Sequence, residues 1–303
     1  MPSVDRGAYL LGNDRVLEWA RALLASLAAS NPGLPVVLIP FGEPFAQLAG
    51  LVRRGGHDVM SAPADFAALD GISARLTRRG GLEGTYRKFA AFSGPFERFL
   101  VLDADVVVTA ALDPVLDRLG DFALLAAQHT ADAVWRPGFG PAGEPGPGAN
   151  SGIWASHRGL VSLDELRALA PQAAEVSSGL ASRGEQSFFN FWLSRAAVSW
   201  QAWNHVPGCP TCLWAGDARP AQLPAAGVPP GTATIHWAGF GLSPRMPMRR
   251  LWLEHRLRDS SAGERAAYLR REPLRAAAAN TGWLLAGALG RLGLRRRDPT
   301  SPG

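Results

Sequence analysis

The stretch Phe99-Leu-Val-Leu-Asp103-Ala104-Asp105-Val-Val-Val108 constrains the fold of this chain more than any other. Four apolar residues run directly into two carboxylates, and a second apolar run follows. A short apolar run without polar alternation is the pattern of a strand buried on both faces of a parallel sheet. In extended backbone, residues i and i+2 point to the same side. Asp103 and Asp105 are therefore expected to face one point just past the end of the strand. Two carboxylates aimed at one point repel unless a positive charge lies between them. A hard divalent cation, Mg²⁺ or Mn²⁺, takes oxygen ligands and shares them with phosphates. The pattern points to an enzyme handling a nucleotide diphosphate, although Asp-x-Asp alone also occurs as a solvated turn.

The flanking sequence alternates strand and helix patterns. Ala8–Leu11 reads as a first strand, followed by the turn Gly12-Asn13-Asp14. Val16 to Ala29 carries apolar residues at helical spacing (Leu17, Ala20, Leu23, Leu24, Leu27) and stops at Asn31-Pro32-Gly33. Pro35–Ile39 is a continuous apolar run, Pro44–Arg54 a helix and Asp58–Met60 a short strand. This β-α-β-α-β order predicts a doubly wound α/β sheet. Thr85 to Phe92 reads as helix, and Asp113-Pro114 as a helix start with Asp at the N-cap. Strands are expected at Phe122–Ala127, Ile153–Ala155, Val198–Trp203 and Thr234–Trp237, and helices at Leu163–Leu169 and Glu185–Arg195. The Pro- and Gly-rich segments 135–148 and 207–230 read as loops.

Composition bounds the rest. The chain has 303 residues and no apolar run of eighteen or more, so no spanning helix is expected. Its first residues do not read as a signal peptide, which makes a cytoplasmic location the expectation. The two cysteines, Cys209 and Cys212, cannot supply the four ligands of a structural zinc site. Lying among Pro207, Gly208 and Pro210, they read as incidental or as a local loop staple. Charge is uneven: residues 245–303 hold 13 Arg against 5 acidic residues, a net of +8, while residues 1–244 net −3. No helix-turn-helix, zinc-finger or aromatic RNA-binding signature accompanies the basic tail, so no nucleic-acid partner is expected. Lys88 is the single lysine beside 30 arginines, either by chance or as the mark of a place where a compact ammonium is needed rather than a planar fork.

Five short motifs occur in order: Thr85-Tyr-Arg-Lys88-Phe89, Asp103-Ala104-Asp105, Asn150-Ser151-Gly152, Glu185-Gln186 and His236-Trp-Ala-Gly239. This set resembles the retaining glycosyltransferases of family 8, which include the glycogenins and bacterial galactosyltransferases, over roughly residues 7 to 245. The resemblance implies a GT-A fold, a Rossmann-like and mostly parallel central sheet flanked by helices. Domains are expected at 1–246 (catalytic) and 247–303 (a basic helical extension).

It also implies site roles. Asp103, Asp105 and His236 would hold Mn²⁺ (or Mg²⁺), and two carboxylates with one imidazole suit Mn²⁺ well. Lys88 would face the diphosphate leaving group, where the family often has Arg. Asn150, Ser151 and Gly152 would hold donor-sugar hydroxyls, with Ala104 and Gly239 as further donor contacts. Gln186 would lie beside the anomeric carbon, and Glu185, in place of the family's Asp, would contact a sugar hydroxyl. Tyr9, Asn13 and Asp14 would seat the base and ribose, uridine by resemblance. The implied reaction moves a sugar from a nucleotide diphosphate to an acceptor hydroxyl with retention, the acceptor being a glycan, a lipid-linked glycan or a small molecule. A sugar nucleotidyltransferase and a non-catalytic carbohydrate-binding or scaffold protein remain as alternatives. The first normally carries a Gly-rich loop after its first strand, which Leu11-Gly-Asn-Asp14 is not. Residues 282–297 join an apolar stretch to a cationic end, so peripheral contact with the inner face of the membrane is a further expectation.

Overall fold

The computed structural model describes residues 4–76, 83–129, 134, 148–176, 184–216, 228–243 and 245–270. Seven strands form the central sheet: β1 (Val4–Gly12), β2 (Val36–Pro40), β3 (Asp58–Val59), β4 (Phe96–Asp103), β6 (Leu124–His129), β7 (Gly148–His157) and β8 (Trp200–Ala202). Their order is β3-β2-β1-β4-β7-β6-β8. All neighbours are parallel except at β7, which runs antiparallel to both β4 and β6. A second sheet, β5-β10-β9, is made of β5 (Val106–Val108), β9 (Thr211–Trp214) and β10 (Thr232–His236).

Strand alternation sorts the core into two layers. Ala8, Leu10, Leu100 and Leu102 face one cluster, and Tyr9, Leu11, Phe99 and Val101 face the other. The first layer is covered by α1 (Leu17–Ser30), α2 (Ala46–Arg54), α7 (Arg249–Arg256) and the small sheet. The second is covered by α3 (Pro63–Leu76), the 3₁₀ segment Glu83–Ser93, α5 (Leu163–Glu175) and α6 (Glu185–Arg195). Burial on both faces is why β2 and residues 99–102 of β4 read as unbroken apolar runs. α1 ends where expected, in a turn with Gly33 at φ +85° and open space around it. α7 packs into the first core layer and is tied to α1 by Trp252 against Trp19 and by Arg256 on Glu18 at 2.6 Å.

Several expectations change. Asp113 is not an N-cap but lies inside α4 (Asp113–Asp117), with Leu112 at the cap, and its carboxylate accepts from Arg6. The 207–230 segment is not all loop, because β9 forms within it and pairs with β10. Cys209 and Cys212 form no staple; both are free thiols, and Thr234 donates to Cys212 Sγ at 2.9 Å. The 135–147 loop and the 282–297 stretch lie outside the described residues. Among the described residues no helix is long and apolar enough to cross a membrane.

α5 opens with a reciprocal capping box, Ser162 Oγ accepting from the Glu165 amide while the Glu165 carboxylate accepts from Ser162 N. Ser162→Ala is expected to lower unfolding stability by about 1 kcal/mol, read as a shifted denaturation midpoint with an unchanged slope. An unshifted midpoint would show that the box contributes nothing.

Candidate active site

β4 and β1 lie side by side where the strand order reverses, the place at which open α/β sheets bind ligands. Asp103 is the last residue of β4, paired in register with Leu11 of β1. The chain then turns through Ala104 and Asp105 and enters β5, in the other sheet. Asp103 and Asp105 do converge, but through this turn, not through the pleat of one extended strand. β10 supplies the third member: His236 pairs with Val106, and the Trp237 amide donates to Asp105 O at 2.9 Å. One potential ligand atom from each of Asp103, Asp105 and His236 lies within 4.8 Å of the others.

Behind this trio is a charged chain. Lys88, on the 3₁₀ segment and only 3% exposed, lies 2.8 Å from Asp103 Oδ1 and 2.9 Å from Glu185 Oε1. It also donates to Ser151 O at 3.2 Å. Glu185 opens α6 and accepts from Thr85 Oγ1 at 2.8 Å and Ser151 Oγ at 3.1 Å. Four segments distant in sequence thus meet at one ammonium. Burial alone would discharge Lys88, but Asp103 and Glu185 reverse this and hold its pKa above that of a free lysine. Burial also works to raise Glu185, yet Lys88 and the Thr85 hydroxyl hold it below the usual carboxylate value. Asp103 is pushed up by burial and by Asp105, only partly offset by Lys88. For Asp105, the charge and hydrogen bond of His236, at 3.2 Å, outweigh burial and hold it low. With all three carboxylates ionised, Lys88 and one imidazolium leave one negative charge unbalanced, a charge that a divalent cation would offset.

The residues fit a divalent cation. The donor set is two carboxylates and an imidazole. His236 Nδ1 is buried without a hydrogen-bond partner among the described residues. β7 also leaves room at this point: a Cβ on Gly152 would stand 2.5 Å from Asp103 Oδ2 and 2.6 Å from His236 Cε1. Gly152→Ala is therefore expected to displace both groups and to cut activity by roughly 10²-fold, the scale of an active-site displacement of about 1 Å. Circular dichroism and melting should stay near wild type; undiminished activity would show that the cradle tolerates a side chain.

The other sequence-predicted residues divide. Ser151 and Gly152 are at the site, and Asn150 lines it while its Oδ1 accepts from Gly152 N at 2.7 Å. Gln186 follows Glu185 at the start of α6, half-buried, and its side-chain amide enters no hydrogen bond among the described residues. Ala104 is buried in the turn between the two aspartates. Gly239 stands at φ +84° in the turn after β10. Tyr9 is not a surface for a base: it is fully buried among Phe96 and Phe99, with its hydroxyl 3.5 Å from the Phe96 amide. Residue 9 lies within β1, where both faces of the strand are buried, and not at its end. Asn13 and Asp14 are engaged locally. Asn13 bonds Arg15 N and Phe41 O, and Asp14 accepts from the Gln47 and Leu48 amides at the start of α2.

Sequence reasoning gave no site role to Thr85, Asn190 or Trp214. Asn190 clamps the start of β7 by bonding both the amide and the carbonyl of Ala149. Trp214, 45% exposed, shares a cleft of about 260 Å³ with His129, Asn150, Asn204 and His236. Thr85 carried a signal, being three residues from the lone lysine; Trp214 had none, because ten tryptophans hide one exposed ring.

No protein-family model matches the chain, and no curated protein sequence does. Solved structures do. The fold is that of the GT-A glycosyltransferases, with the mixed, mostly parallel sheet expected from sequence. The galactosyltransferase LgtC, solved with donor and acceptor sugar analogues, aligns over 84% of this chain and 97% of its own. That match has 18% identity and a TM-score of 0.58. GlyE of Streptococcus pneumoniae aligns at 18% identity over 84% of this chain and 61% of its own, TM-score 0.52. Mouse xyloside xylosyltransferase 1 aligns at 16% identity over 66% and 85%, TM-score 0.50. At these identities the shared property is the fold.

Proposed function

We propose that the chain is a metal-dependent glycosyltransferase that moves a sugar from a nucleotide diphosphate, by preference a UDP-sugar, to an acceptor hydroxyl with retention. The observation that carries this reading is the convergence of Asp103, Asp105 and His236 at the switch point of a GT-A sheet, backed by Lys88. Asp103, Asp105 and His236 would hold Mn²⁺ or Mg²⁺, which when bound supplies positive charge that stabilises a diphosphate leaving group.

The chain's own residues supply the rest. Lys88 holds Asp103 and Glu185 in place and adds a fixed positive charge at the rear of the site. Gly152 keeps β7 away from Asp103 and His236. Ser151 anchors Glu185, whose buried carboxylate fixes the N-terminus of α6 and so the position of Gln186, whose amide remains available for the sugar. The cleft floored by Asn150 and Asn204 and edged by Trp214 would take the sugar portions. Glycosyltransferases act on hydroxyl acceptors, so a glycan or a lipid-linked or small-molecule acceptor completes the reaction. No side chain is assigned as a covalent nucleophile; retention rests on the family resemblance.

Calorimetry with UDP and GDP, each in Mn²⁺ and then in EDTA, tests the reading. UDP binding that requires the metal is expected, followed by turnover in a screen of UDP-sugars. GDP-only binding would keep the class and overturn the base. Binding of neither would favour the scaffold reading.

A further inference from the structure

β9 and β10 run parallel, and Trp214 is the register partner of His236. Register partners on neighbouring strands project to the same face of a sheet, roughly 4.8 Å apart. The indole therefore stands one strand spacing from an imidazole of the candidate metal trio. The cleft of about 260 Å³ that the two share opens where β7 bulges away from β6. Between the pairs Ala126–Trp154 and Gln128–Ala149, residue 127 alone opposes residues 150–153. Bulges next to active sites re-aim side chains, and this one brings Asn150 of β7 and Gln128 of β6 onto the cleft wall.

Trp214 is held in place while remaining open to solvent. Its Nε1 donates to Ala238 O at 3.1 Å, and Phe240 packs against the ring with centroids 5.8 Å apart. Gly216 gives the benzo edge its room: a Cβ there would stand 2.3 Å from the ring. The residue still keeps 45% exposure. With its one polar atom matched and its orientation already set, the ring offers apolar area at little further ordering cost. The polar part of the wall is amide. Gln128 is exposed, and its side chain enters no hydrogen bond among the described residues. Asn204 accepts from Cys212 N at 2.8 Å and donates to Cys212 O at 3.4 Å, which leaves its amide one N–H and one lone pair. Among the described residues the wall carries no carboxylate, guanidinium or ammonium, and its imidazoles are those of His129 and His236. A flat apolar ring beside neutral amides matches a pyranose, which has C–H groups on its face and hydroxyls at its rim. The same wall gives an anionic sugar no counter-charge.

Lys88 and Glu185 reach the trio through Asp103, whereas this cleft reaches it through His236 and includes neither aspartate. With the donor sugar toward Gln186, the cleft is left for the acceptor. We propose that Trp214 is the platform on which the acceptor's terminal sugar stacks, and that this sugar is a neutral pyranoside whose hydroxyls bond Gln128 and Asn204. The proposal rests on the glycosyl-transfer reading above, which it deepens by naming the class of acceptor.

Saturation-transfer difference NMR on the full chain with Mn²⁺ and UDP tests it. The probes are the methyl glycosides of glucose, galactose and mannose, with methyl glucuronide and methyl galacturonide as anionic counterparts. Saturable binding of at least one neutral glycoside is expected, with the strongest saturation on the ring protons of one face. Neither uronide should bind. Trp214→Ala should weaken the neutral glycoside by roughly tenfold or more, the scale of losing an aromatic contact and the apolar area it buries. Trp214→Phe, which keeps a flat apolar face, should restore most of the affinity. Calorimetry on the same samples reads UDP binding in Mn²⁺, which Trp214→Ala should leave unchanged. UDP bound with no neutral glycoside bound would overturn the acceptor assignment and leave the donor reading standing; a wild-type chain that binds no UDP would overturn both. Undiminished glycoside affinity in Trp214→Ala, or equal binding of the uronides, would overturn the proposal. Loss of UDP and glycoside together in that variant would do the same, by making Trp214 a structural residue.

Discussion

Lys88→Met is expected to damage both stability and catalysis, an unusual outcome for a single surface-distant lysine. The ammonium lies between Asp103 and Glu185 at 2.8 and 2.9 Å, in a site where almost no water reaches it. Removing one partner of a buried ion pair leaves the other charged and uncompensated, which typically costs 3–5 kcal/mol. Here the loss should fall near the lower end, about 3 kcal/mol, because the Asp103 side chain keeps 27% exposure and can take up water. Glu185, at 12%, has less relief and is left with Thr85 and Ser151 as its donors. The start of α6 should loosen with it, and Gln186 with α6. Turnover should fall by roughly 10²–10³-fold, the scale for removing one preorganised charge from an active site. Denaturant unfolding and steady-state kinetics on the same preparation check both halves. A variant as stable as wild type would show that the network is not held together by its ammonium. A stable variant with normal turnover would remove Lys88 from the site altogether.

Asp105→Asn is expected to separate chemistry from folding. Asp105 sits in the turn between the two sheets, and its backbone carbonyl, which receives the Trp237 amide, is untouched by the change. Asn keeps the shape and can still bond His236, but one negative charge leaves the cation site. Metal-stimulated turnover should drop roughly 10³-fold, equivalent to about 4 kcal/mol. The melting temperature should change little, since removing a carboxylate also relieves its repulsion of Asp103. Full activity in this variant would sink the metal assignment; unfolding would instead make Asp105 a structural residue.

The sequence disclosed the fold through its buried strands. The unbroken runs at 36–40 and 99–102 read as strands of a sheet covered on both sides, and that sheet is present. The candidate site drew attention where uncommon residues fall in short motifs, and the structure brings Asp103, Asp105, His236, Lys88 and Glu185 together. Their pairing was not legible, because Lys88 and Glu185 are 97 positions apart and only the packing of α6 against β7 brings them together. Tyr9 shows the opposite failure. A polar aromatic near an expected strand end invites a binding role, but β1 runs on to Gly12 with core on both of its faces, and Tyr9 lies within the covered part. β9 escaped notice because Pro207, Gly208 and Pro210 precede it; its pairing to β10 is a tertiary gain that local propensity does not register. The basic extension was read as helical, and α7 is; its anchorage on α1 through Trp252 and Arg256 lay beyond any local pattern.

The most direct measurement is a titration of the full chain with Mn²⁺, followed by electron paramagnetic resonance of the free ion, with and without UDP. One Mn²⁺ bound per chain, tightened by UDP and lost in Asp105→Asn, is the expected result. Equal Mn²⁺ binding by wild type and Asp105→Asn would contradict a metal centre built on Asp103, Asp105 and His236.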